Sequence, residues 1–126
     1  MTTTTRETVA EWAITAARAA DDKKCEATVI LEVGTILAIT DFFVITSAAN
    51  RRQVRTVAEE IEKQVKASGG PLPLRVEGLN DLTWVLMDYG DLVVHIFDPA
   101  TRAYYDLERL WRDVPVLEWA PAGRVG

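Results

Sequence analysis

The most regular apolar pattern in the chain is Val54, Val57, Ala58, Ile61 and Val65, which recur at the three- and four-residue spacing of one helix face. Asn50 stands where an N-cap belongs and Gly69 with Gly70 stops the run, so the spacing predicts a helix from Asn50 to Ser68. Val9, Trp12, Ala13, Ala16 and Ala20 predict an earlier amphipathic helix, with Thr4 and Glu7 at capping-box spacing at its start. Elsewhere the pattern changes to short, β-branched apolar runs. Ala27 to Val33 and Asp41 to Ser47 (DFFVITS) predict two strands, and PLPLRVEG from Pro71 to Gly78 predicts a short third one, with proline tolerated at its entry. Trp84 to Asp88 and Leu92 to Phe97 predict a hairpin through Tyr89, Gly90 and Asp91, with Gly90 supplying the positive φ of a tight connection. Asp98 and Pro99 read as N-cap and first residue of a last helix lined by Tyr104, Leu107, Leu110 and Trp111.

These strands are continuous apolar runs rather than clean alternations, which predicts a sheet covered on both faces. The expected architecture is α/β: a mixed β-sheet with helices packed on its faces. The helix Asn50 to Ser68 is expected to cross over between parallel strands two and three, and the tight turn at Gly90 forces an antiparallel pair. At 126 residues and 48% apolar, the chain fits one domain with a real core, taken as residues 1–117. Residues 118–126 are expected to form a flexible C-terminal tail, loose from about Pro115, with Trp119 as its one residue suited to docking on the body.

A single cysteine, Cys25, excludes an internal disulfide framework and leaves too few soft ligands for zinc, so it reads as a packing residue in a cytoplasmic protein. The first residues lack a basic start and apolar stretch of secretory type, and no apolar run approaches a membrane span. The net charge of −5 argues against phosphate backbones or anionic lipid as partners and favours a basic one. The signatures of chemistry are thin. GTILAIT lacks the lysine of a phosphate loop, and no GxGxxG or GxSxG is present. Asp88 and Asp91 flank a turn without the histidine or third acid that completes a metal site, and Asp is a common turn residue. They are nevertheless the pair that an alternative reading, a nucleotidyltransferase-like metal-dependent enzyme, would use. His95, the only histidine, sits in an apolar strand and reads as structural. No catalytic residue, metal or cofactor is therefore assigned. Arg51 and Arg52 oppose the positive end of their helix, which suits a contact outside the helix. Trp84, Tyr89, Tyr104, Tyr105 and Trp111 are of the types enriched at interfaces.

The run WVLMDYGDLVVHIF followed by RAYYDLERLW, with TDFFVITSAANRRQV upstream, resembles the hallmark blocks of the Iojap-related ribosomal silencing factors, RsfS. The resemblance covers Thr8 to Leu117. It implies a small homodimeric α/β protein of nucleotidyltransferase-like fold, without catalysis, cofactor or direct nucleic-acid contact. Such a protein binds the large ribosomal subunit through ribosomal protein uL14, blocks association with the small subunit and represses translation when nutrients are limiting. Carried over by position, the partner-binding surface implicates Trp84, Met87, Tyr89, Gly90 and Asp91, with Arg51, Arg52 and Gln53 as further candidates. Met87 and Phe42 stand where the family often has Leu and Tyr, changes that keep size and apolar character.

Overall fold

The structure, a computed structural model, describes residues 5–120. Its elements are α1 (Arg6–Asp22), β1 (Glu26–Leu31), a short 3-10 turn (Val33–Thr35), β2 (Phe42–Ser47), α2 (Arg51–Ala67), β3 (Arg75–Glu77), β4 (Trp84–Asp88), β5 (Leu92–Phe97), α3 (Pro99–Tyr105) and α4 (Leu107–Leu110). The sheet runs β1-β2-β5-β4-β3, with β2 and β5 parallel and the other pairs antiparallel. The expected mixed α/β sheet is present.

α2 forms where its periodicity placed it, and Val54, Val57, Ala58, Ile61 and Val65 are its buried residues. Its cap is reciprocal: Asn50 Oδ1 accepts from the Gln53 amide at 2.9 Å, and Gln53 Oε1 accepts from the Ala49 amide at 2.6 Å. α1 lies beside it on the same sheet face, where Ala13, Ala16, Ala17 and Ala20 are fully buried and let the backbones approach closely. Thr5, not Thr4, caps α1, accepting from the Thr8 amide at 3.1 Å; Thr4 lies outside the described residues. The main core fills the space between these helices and Phe42, Val44, Val85, Met87, Leu92, Val94 and Ile96 of the sheet.

Three expectations need correction. Strands β2 and β3 do point the same way, but β5 and β4 lie between them, so the α2 crossover reaches the far edge of the sheet. Burial explains the order: five of the six β5 residues are buried, which suits the centre, whereas β3 is three residues long and follows two prolines, which suits an edge. The last helix is not continuous, because Asp106 adopts the left-handed conformation (φ 47°) and separates α3 from α4. Finally, the segment after Pro115 is not loose where it is described. The Glu32 amide donates to the Pro115 carbonyl, the Leu117 amide donates to the Ile30 carbonyl, and Val116 bridges Leu31. Trp119 does dock, its Nε1 donating to the Thr28 carbonyl and its own carbonyl accepting from Arg18 Nε, both at 2.9 Å. The segment covers the otherwise bare outer edge of β1. Residues 121–126 lie outside the described part.

Candidate interaction surface

α1 and α2 cover one face of the sheet, and the side chains alternating with the main core form the other. Register places Phe43 beside Val93, His95 between Ile45 and Leu86, Trp84 opposite Phe97, and Arg75 opposite Asp88. One end of this second face is closed by Leu107, Trp111 and Val114 over Leu31, Ile45 and Phe97. Whereas the sequence pattern predicts cover on both faces, among the described residues nothing covers the remainder. It forms a shallow depression of about 390 Å³ lined by Phe43, Leu86, Val93 and His95, with Ile39 and Leu74 on its rim at 83% and 75% exposure. Arg75, Glu77 and Asp88 supply its charged border.

Trp84 stands half-buried where the closed end meets the depression. Its ring packs on Phe97 at 4.8 Å and Tyr105 at 4.7 Å between centroids. Its chain position is set from the edge: a Cβ at Gly78 would collide with the Trp84 carbonyl oxygen, so only glycine fits there, and φ is 93°. The indole Nε1 donates to His95 Nδ1 at 3.1 Å. The tautomer follows: Nδ1 accepts, so Nε2 carries the proton, and Nε2 is buried without a hydrogen-bonding partner among the described residues. Burial lowers the His95 pKa to about 4, which keeps the ring neutral near pH 7 and agrees with a structural histidine.

The other residues indicated by sequence divide. Asp91 is exposed and Gly90 half-buried with φ 90°, both at the β4–β5 turn beside the depression. Met87 and Tyr89 are not surface residues: at 1% and 6% exposure they belong to the core on the opposite face, because strand alternation turns them toward the helices. Burial also pushes the Tyr89 hydroxyl far up in pKa, and Glu62 adds to the effect. Arg51 and Arg52 are exposed, and neither guanidinium pairs with a carboxylate among the described residues. They begin α2, on the opposite layer from the depression, so the two groups do not form one surface. Gln53 serves the helix cap and donates from Nε2 to the Lys23 carbonyl at 2.5 Å, a local structural role. Leu86 and Val93 went unnoticed in the sequence because they look like core strand residues. Ile39 and Leu74 went unnoticed because loop positions carry no periodicity.

Asp88 is committed to the turn, with Oδ1 accepting from the Gly90 amide at 2.8 Å and Oδ2 lying 3.4 Å from Arg75 Nε. Among the described residues no group of three or more His, Cys, Asp or Glu side chains is arranged to hold a metal ion, and no helix is long and apolar enough to cross a membrane.

The family described as "Ribosomal silencing factor during starvation", RsfS, matches residues 6–124. The ribosomal silencing factor RsfS of Halalkalibacterium halodurans is 44% identical over 103 residues, covering 82% of this chain and 87% of that protein. That of Bacillus subtilis is 39% identical over 103 residues, covering 82% and 86%. The crystal structure of a Chromobacterium violaceum protein aligns with a TM-score of 0.78 at 28% identity, over 92% of this chain and 96% of that one. A family match over residues 6–124, relatives 39–44% identical over 82% of the chain and a similar solved structure lead to one conclusion: the chain belongs to the RsfS family of ribosomal silencing factors.

Proposed function

We propose that the chain silences ribosomes sterically, by seating the bare part of its second sheet face on ribosomal protein uL14 of the large subunit and so blocking association with the small subunit. The observation that carries this reading is the apolar depression around Phe43, Leu86 and Val93, with Ile39 and Leu74 exposed on its rim. A contiguous apolar surface with a charged border is the form of a protein-docking site. Trp84 and Tyr105 extend it with aromatic area of the kind that anchors interfaces. The net charge of −5 favours a basic partner such as a ribosomal protein. Blocking needs an occupied surface and no proton transfer, which fits a neutral, buried His95 and an Asp88 held by its own turn.

The test is sedimentation with purified ribosomal subunits. The protein is expected to pellet with large subunits, not with small ones, and to lower the yield of joined ribosomes. Leu86→Glu, which puts a charge into the depression without entering the main core, is expected to abolish pelleting while leaving the melting temperature near wild type. Failure of the wild-type protein to pellet with large subunits refutes the proposal, and pelleting by a folded Leu86→Glu variant refutes this face as its site.

A further inference from the structure

Trp84 is the largest side chain at the border of the docking face, and two different contacts hold it. Phe97 and Tyr105 pack against its ring and fix the tilt of the plane. The 3.1 Å bond from Nε1 to His95 Nδ1 fixes the rotation within that plane, because only one edge of an indole bears a donor. The acceptor is itself held. His95 is 4% exposed, meets the edge of Phe43 at 4.8 Å between centroids, and lies parallel to Phe97 at an interplanar angle of 11°. It sits in register between Ile45 and Leu86 on the two neighbouring strands. A ring so enclosed does not reach a partner, yet it touches Phe43 and Trp84, the aromatic residues on either side of it along the face.

Resting on the docking reading above, we propose that His95 is the positioning residue of the recognition surface: its Nδ1 lone pair holds the Trp84 indole in the orientation presented to the ribosomal partner. The role belongs to an acceptor atom at one place, not to the volume of the ring, and this separates it from simple packing. Asparagine carries its side-chain oxygen the same number of bonds from Cα as Nδ1, so His95→Asn keeps the acceptor. His95→Leu keeps apolar volume and removes it. His95→Gln moves the amide one bond outward, toward the position of Nε2, and supplies a second variant without an acceptor at Nδ1.

The experiment measures large-subunit affinity together with the indole N–H resonances of the full-length chain, the Trp84 signal being assigned by its loss in Trp84→Phe. In the folded Leu or Gln variant the Trp84 indole proton is expected to shift and exchange faster with solvent. Affinity should fall roughly tenfold, the scale of one lost hydrogen bond in a positioned contact. His95→Asn should stay within about threefold of wild type on the same hydrogen-bond scale. In the Leu background, adding Trp84→Phe should cost less than it does in the wild-type chain, because an unpositioned indole has less to lose. Equal losses in the Asn and Leu variants would assign the effect to packing and overturn the proposal. So would wild-type affinity in a folded Leu or Gln variant when Trp84→Ala binds poorly, a result that leaves the docking face intact. If Trp84→Ala itself binds as wild type, the role of Trp84 in docking falls and the proposal with it.

Discussion

At Trp84 a single substitution mixes two losses, because the side chain is half-buried and touches both the core and the open face. Truncation to Ala is expected to weaken large-subunit binding by about 2 to 4 kcal/mol, the range of an interface anchor. It should destabilise the fold by less than the ~3 to 5 kcal/mol of a fully buried Trp. Thermal unfolding and ribosome pelleting on one preparation separate the two, and unchanged binding in a folded variant removes Trp84 from the surface. Met87 gives the contrasting case. At 1% exposure, Met87→Ala should cost about 2 to 5 kcal/mol of stability in denaturant unfolding. His95 makes stability depend on pH. Its pKa of about 4 lies below the ordinary value of 6.5, so between these two values the unfolded chain binds a proton that the native chain does not. Stability is therefore full above pH 6.5 and is lost as pH falls toward 4, by about 3 kcal/mol. Protonation also fills the Nδ1 lone pair that accepts from Trp84. Denaturant midpoints measured from pH 7 to 4 should fall more steeply in the wild type than in His95→Asn.

Among the elements, legibility followed the range of the contacts that define each one. α2 was readable from its cap to its stripe because Asn50, the apolar spacing and Gly69 all act within one helix length. The hairpin was equally plain, with β4 and β5 bounded by the residues that the apolar runs delimit. The break between α3 and α4 was not, and the contacts that hold the two pieces are mostly remote in sequence. Arg102, at 9% exposure, donates to Ser47 Oγ and to the carbonyls of Glu26 and Ala27, partners 55, 76 and 75 residues away, as well as to Glu108 on α4. Drawn to the sheet edge in this way, Arg102 ties α3, α4 and the irregular start of β1 together. The position of β3 and the pairing of Pro115 to Leu117 with β1 were hidden for the same reason: each depends on which edge of the sheet is left unpaired. Replacing Arg102 with Leu leaves those carbonyls and the half-exposed Glu108 carboxylate without the guanidinium, and should cost about 3 kcal/mol by urea unfolding. Because α4 leads into the Trp111 lid over the closed end of the second face, large-subunit binding should weaken as well. A variant of wild-type stability would show that the staple is dispensable.

For the molecule as a whole, the candidate surface was half-legible. Trp84 and the β4–β5 turn lie beside the open face, but a strand alternates in and out only relative to layers the sequence does not place, so the burial of Met87 and Tyr89 in the core is not legible from it. What decides the surface is a shortage of cover: α1 and α2, at 17 residues each, close one face, whereas α3 and α4, at 7 and 4 residues, close only part of the other. A face left bare in this way attracts a second copy as readily as a ribosomal protein, because apolar burial is not directional. An isologous two-fold pairing would cover the depression on both copies at once and is the simplest closed solution. The free protein is therefore expected to be a homodimer by light scattering at micromolar concentration, with mass falling toward the monomer on dilution. Leu86→Glu should shift it to monomer, since the pairing would bring two like charges together in an apolar contact. A monomer mass at every concentration up to the millimolar range refutes the dimer. A Leu86→Glu protein that remains dimeric places the two-fold contact elsewhere and leaves the depression free for the large subunit alone.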